Sequence, residues 1–221
     1  MRKYYLFILL AMTTVFAASL SSCKETDNDV EEFPNWQKTN EAYYDKKYAE
    51  VKQLVNGGAA DWKVLRSWSL DDKLATHSYD YVLANVLNAG TGSGCPLYTD
   101  SVKVHYSGRL LPSTSYAKGY IFDQSWQGEY NLSTMKPRTF TVSGVVKGFA
   151  TALQNMHIGD RWQVYMPHQL AYGSSDTPGA AYSTLIFDIT LVGYFRKTST
   201  AAAPSKGGAA QQQTVGYWVY E

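Results

Sequence analysis

The arrangements that mark nucleophilic or metal-assisted catalysis are missing from this chain. The four histidines, His77, His105, His157 and His168, show no metal-ligand spacing with one another or with cysteine, so each reads as structural or exposed. Gly90-Thr-Gly-Ser-Gly94 lacks the lysine and helix that follow a phosphate loop, and it reads as a turn. There is no nucleophile elbow, and no motif brings a serine, a histidine and an acid together. What stands out is a dispersed aromatic set with single polar groups inside it. It comprises Val104-His-Tyr-Ser-Gly108, Phe122-Asp123-Gln-Ser125, Phe140-Thr-Val-Ser-Gly-Val-Val-Lys-Gly-Phe149, Leu170-Ala-Tyr-Gly173 and Ser183 to Leu191. Aromatic residues make up 14% of the chain, enough to require a packed core or an aromatic-lined surface.

The elements carrying these residues follow from periodicity. Alternation starts near Tyr79. From Val102 to Leu110 it puts Val102, Val104, Tyr106 and Leu110 on one face and Lys103, His105, Ser107 and Arg109 on the other, as in a half-buried antiparallel strand. Arg161 to Met166 and Leu185 to Leu191 read as further strands. Between them Phe149, Ala152, Leu153 and Met156 recur at i, i+3, i+4 and i+7, the spacing of a short helix over Gly148 to Met156. Strands around one short helix make an α+β domain. Upstream, Tyr44, Tyr48, Val51 and Val55 recur at helical spacing from Asn35 until Gly57-Gly58. That amphipathic helix could dock on the main domain or pair with a second copy. Residues 59–78 show no sustained period and read as connecting structure. After Phe195 the chain reads as a low-complexity linker, and the apolar end Gly216 to Glu221 as a possible edge strand.

In order and spacing, the dispersed segments, with Gly159-Asp160 and Met166-Pro167 between them, resemble the FKBP-type peptidyl-prolyl cis-trans isomerases over roughly Tyr79 to Phe195. The resemblance implies a bent antiparallel sheet wrapped around the short helix, with a shallow apolar pocket between. Tyr106, Phe122, Asp123, Tyr172 and Phe187 fall at the family's catalytic positions. Phe140, Val145, Val146 and Phe149 fall at its substrate-binding positions. Asp123 would orient Tyr106 or meet the twisting carbonyl, while the Val146 N–H and the Tyr172 hydroxyl would hold neighbouring carbonyls. No metal and no cofactor is implied. Phe149 stands where the family often has tryptophan. Arg138 falls near a usual aromatic and would make the pocket rim polar. The loop 174–182 is shorter than usual and has Ala180 and Ala181 in place of bulky apolar groups. The connection 111–121 is longer than the family's hairpin.

Charge and addressing bound the setting. Twenty basic against 19 acidic residues give a net charge of +1, without the clustered basic surface that nucleic acid requires. Arg2 and Lys3, an apolar run to about Leu20 and then Leu20-Ser-Ser-Cys23 read as a secretory signal resembling the bacterial lipobox, with Cys23 the lipidated residue. That export route makes the sequon at Asn131-Leu-Ser133 irrelevant, and it leaves Cys95 as the free thiol, read as buried and inert. The expected organisation is a signal peptide over 1–22, an acidic tether over 23–34, the helix and connection over 35–78, the isomerase domain over 79–195, and linker plus tail over 196–221. The function expected is rotation of X-Pro bonds in proline-containing unfolded or nascent envelope proteins, by a protein held to the membrane through Cys23. The alternatives are a catalytically weak chaperone or binding module and, more remotely, a surface adhesin.

Overall fold

The computed structural model describes residues 31–177, 179–202 and 212–221. The expected signal peptide, Cys23 and most of the acidic tether lie outside these residues. Helix α1 (Trp36–Asn56) is followed by strands β1 (Trp62–Arg66), β2 (Tyr81–Asn88), β3 (Ser101–Arg109), β4 (Ile121–Gln124) and β5 (Arg138–Thr141). Helix α2 (Lys147–Leu153) then precedes β6 (Arg161–Met166), β7 (Leu185–Ala202) and β8 (Gln212–Val219). The strands form one antiparallel sheet in the order β1-β2-β6-β7-β3-β4, with β5 also on β3 and β8 also on β7. This is the expected α+β architecture.

The core lies between the sheet and α2. Val102, Val104 and Tyr106 of β3, Trp162 and Val164 of β6, and Phe187 and Ile189 of β7 are buried with Phe149, Ala152 and Leu153 of α2. Helix and sheet approach closely because residue 148 is glycine: a Cβ there would lie 2.9 Å from Met166 Sδ. The sequence places Gly148 at the start of the helix for that contact, at the cost in backbone entropy that a helical glycine carries.

Helix α1 docks on the domain rather than leaving its inner face free. Trp36 Nε1 donates to Ser183 Oγ at 2.7 Å, and the Thr184 N–H donates to Asn40 Oδ1 at 2.7 Å. Tyr44 Oη donates to the Tyr81 carbonyl at 2.7 Å. Trp36, Asn40 and Tyr44 are buried at i, i+4, i+8 spacing, so the inner stripe of α1 carries hydrogen-bonding groups as well as apolar ones.

Two elements and two single residues depart from expectation. Residues 62–66 form β1 and pair with β2, from Trp62 opposite Asn85 to Arg66 opposite Tyr81. All five residues are partly buried, so no alternation of apolar and polar faces shows in the sequence. β7 runs past Phe195 to Ala202 and pairs with β8, so the first part of the expected linker is strand. Small and polar residues carry no core-facing pattern, and a hairpin can hold them through backbone hydrogen bonds alone. His105, assigned to the solvent side of β3, is only 3% exposed. The connection between β4 and β5 crosses that face, with Tyr130 Oη 2.7 Å from Thr190 Oγ1. Cys95, expected to be buried, is half-buried, with Sγ 3.9 Å from His157 Nε2.

Candidate active site

A concavity of about 230 Å³ opens between the sheet and the start of α2. Its walls are Tyr106, Phe122, Asp123, Phe140, Gly144, Val145, Val146, Phe149, Tyr172 and Phe187. Every pocket residue expected from the sequence is therefore in one hollow. Gly144 was not anticipated; it precedes the Val145-Val146 pair, at the end of a short 3-10 turn over Val142–Gly144.

Strand chemistry explains how the rings converge. Tyr106 comes from the middle of β3 and Phe187 from β7, where Gly108 lies opposite Phe187. A Cβ at Gly108 would sit 2.5 Å from the Phe187 ring and 2.7 Å from the Phe122 ring. Only glycine lets those rings close to 5.5 Å, edge to face at 86°. Phe122 is also the extra residue of a β-bulge, since Gly108 pairs with Asp123 and Arg109 with Ile121. A regular strand would send Phe122 and Asp123 to opposite faces; the bulge lets both reach the hollow. Phe149 forms the floor, edge-on to Phe187 at 5.1 Å and to Tyr106 at 6.2 Å. Phe140 closes on Tyr106 at 5.5 Å.

One polar cluster interrupts this apolar wall. Tyr106 Oη donates to Asp123 Oδ2 at 2.5 Å. Arg138, at the start of β5, donates to Tyr106 Oη at 3.1 Å and reaches Asp123 Oδ1 at 3.4 Å. Its other arm donates to the Gln124 carbonyl at 3.1 Å. Arg138 thus holds the polar pair from outside, a role its sequence position beside Phe140 does not reveal. Burial, together with the neighbouring Asp123 carboxylate, pushes the Tyr106 hydroxyl well above the usual tyrosine range. Burial first, then the Asp123 charge, also raises Tyr172. Both hydroxyls are therefore donors at neutral pH. Tyr172 stands at the rim, 42% exposed, in the turn after Leu170. Among the described residues, none from the loop 174–182 lines the hollow.

The arrangement offers no nucleophile beside a base, and among the described residues no group of three potential metal ligands converges. It can enclose a small apolar ring and present hydrogen-bond donors beside it.

Residues 95–192 match the family model described as FKBP-type peptidyl-prolyl cis-trans isomerase. The chain is 39% identical over 105 residues to the macrophage infectivity potentiator of Trypanosoma cruzi, covering 47% of each protein. It is 35% identical over 109 residues to the FKBP-type 22 kDa peptidyl-prolyl cis-trans isomerase of Escherichia coli K12, covering 48% of this chain and 47% of that one. It is 38% identical over 109 residues to the outer membrane protein MIP of Legionella longbeachae, covering 48% of this chain and 41% of that one. The matched region thus spans less than half the length of each of these relatives. On the matched segment and its architecture, residues 95–192 of this chain form a domain of the FKBP-type peptidyl-prolyl cis-trans isomerase family.

Proposed function

We propose that this chain is a peptidyl-prolyl cis-trans isomerase acting on exported or envelope polypeptides, with the aromatic hollow as its active site. The observation that carries this reading is the convergence of Tyr106, Phe122, Asp123, Phe149, Tyr172 and Phe187 on one hollow of about 230 Å³. Rotation about an amide faces a barrier of ~18–20 kcal/mol because resonance must be broken, and X-Pro exchange without a catalyst takes tens of seconds or longer. The planar amide has more charge separation than the twisted one, so water favours the planar form. Moving the bond into a ring-walled hollow removes that preference and lowers the barrier.

In this mechanism Phe122, Phe149 and Phe187 seat the pyrrolidine ring, with Phe140 and Val145 completing the wall. The Val146 N–H and the Tyr172 hydroxyl donate to carbonyls flanking the rotating bond. Asp123 fixes the Tyr106 ring through its hydroxyl. No covalent bond is made, and no proton changes owner.

The test is two-dimensional exchange NMR on a blocked Ala-Leu-Pro-Phe peptide with substoichiometric protein. Cis-trans cross-peaks should appear at mixing times where peptide alone shows none. Exchange no faster than in buffer would refute the reading.

The envelope setting rests on Leu20-Ser-Ser-Cys23 and on the similarity to the outer membrane protein MIP of Legionella longbeachae. A lipidated Cys23 would anchor the chain. Acyl chains contribute ~0.8 kcal/mol per buried methylene, so two or more hold a protein stably. Labelled palmitate should enter the wild-type chain and not a Cys23→Ala variant; equal incorporation excludes the anchor. The rim favours a second reading, a weakly active binding module. Arg138 makes it polar, and among the described residues the 174–182 loop adds no side chain to its lining.

A further inference from the structure

Tyr172, the rim donor of the hollow, sits on the segment 168–184 between β6 and β7, and both feet of that segment rest on helix α1. At the first foot Glu41 Oε1 lies 3.3 Å from His168 Nε2, and the His168 carbonyl accepts from the Ala171 and Gly173 N–H groups on either side of Tyr172. At the second, the Ser183 hydroxyl accepts from Trp36 Nε1 and donates to the Ala180 carbonyl, both at 2.7 Å. The Thr184 N–H donates to Asn40 Oδ1 at 2.7 Å, and Asn40 Nδ2 donates to the Trp36 carbonyl at 2.8 Å. The Tyr182 N–H joins the two feet by donating to the Gly173 carbonyl at 2.8 Å, one residue from Tyr172.

Two features of this clamp are unfavourable taken alone. Tyr182 holds φ at +60°, in the left-handed region that a bulky side chain avoids. Such strain persists only where neighbours over-determine the backbone, and it gathers at sites that need a fixed geometry. Here the neighbours are the bond to Gly173, the His168 ring edge-on at 5.3 Å and the pinned Ser183. The second feature is Asn40, fully buried within α1, where an aliphatic side chain would form helix more readily. An aliphatic residue there would leave the buried Thr184 N–H without its acceptor.

We propose that Trp36 and Asn40 are positioning residues for the isomerase reaction, acting through Ser183, Thr184 and the strained Tyr182 turn to fix where the Tyr172 hydroxyl stands. Neither lines the hollow. The wall rings Phe122, Phe149 and Phe187 hold one another edge to face. Tyr172 lies outside regular structure and is 42% exposed, so its place depends on the backbone at either side. A misplacement of ~1 Å, caused by a substitution far from the chemistry, is enough to cost rate. This role rests on the isomerase reading, with Tyr172 as a donor to the substrate.

The test is a double-mutant cycle on kcat/KM of the full chain with a proline tetrapeptide, each variant's fold verified by circular dichroism. Trp36→Phe removes the indole donor and keeps an aromatic ring, and Asn40→Ala removes the acceptor of the Thr184 N–H. Ser183→Ala breaks the Trp36 link from the loop side should either helix variant misfold. Each should lower kcat/KM about fivefold in the wild-type background, the worth of one hydrogen bond, and less than about twofold once Tyr172→Phe has removed the hydroxyl. The Tyr172 ring resonances should shift in each single variant, whereas those of Trp162 in the core should not. A loss of the same size with and without the Tyr172 hydroxyl would show a purely structural role and overturn the proposal, as would unchanged kcat/KM in all three variants. Either result with an active wild type leaves the isomerase reading standing. Wild-type turnover at the buffer rate would refute that reading, and the positioning role with it.

Discussion

The Tyr106, Asp123 and Arg138 cluster joins two different strengths of interaction. Asp123 takes a short hydrogen bond from Tyr106, while Arg138 is half-exposed and 3.4 Å from the carboxylate. Exposed ion pairs contribute ~0.2–1 kcal/mol, so Arg138→Ala should lower kcat/KM by no more than about fivefold. A steady-state series on one peptide measures this, and a loss of a hundredfold would mean that Arg138 touches the substrate. In the proposed mechanism the two hydroxyls would also bear on the alkaline limb. An acid whose pKa is raised stays protonated to higher pH. Tyr106 and Tyr172 both lie above the ordinary 10.0, so kcat/KM should not fall between neutral pH and that value through loss of their protons. A pH–rate profile that declines with an apparent pKa near 8 would show another group in control. At this scale the pocket residues were legible in the sequence, because their order and spacing in this chain resemble those of the family. Arg138 was legible only as a departure. Its contact with Tyr106 depends on β5 lying antiparallel to β3, with Val104 opposite Arg138.

Helix α2 is the element that gives the hollow its floor. Phe149 is 4% exposed and contacts both Tyr106 and Phe187, so Phe149→Ala should destabilise the fold by about 3–5 kcal/mol. Phe149→Trp should keep both fold and activity, since the floor needs an aromatic plane rather than one particular ring. Chemical denaturation of the two variants separates these outcomes. Equal stability of Phe149→Ala and wild type would contradict the packing described. The helices and the inner strands were readable because burial of one face leaves a period in the sequence. β1 and the outer half of β7 were not, since partial burial on both sides, or a run of polar and small residues, leaves none. β-bulges are equally silent. Nothing in Phe122-Asp123 or in Leu87 signals an extra residue until the partner strand is known.

For the molecule as a whole, the sheet separates two concavities of different character. One is small and ring-walled; the other, lined by Leu87, Leu132 and Met135 among others, is larger. Helix α1 covers neither, and its buried contacts to Ser183, Thr184 and Tyr81 tie it to the same compact unit, Glu32–Glu221. Catalysis is thus assigned to the small hollow alone, and that assignment is open to a direct challenge. The measurement is kcat/KM of the full chain in a protease-coupled assay on a proline tetrapeptide, beside Asp123→Ala with its fold verified by circular dichroism. The account predicts wild-type turnover well above buffer and a drop of about tenfold or more in the variant, equivalent to ~1.4 kcal/mol of transition-state stabilisation. Wild-type turnover at the buffer rate, or a variant as fast as the wild type, would contradict it.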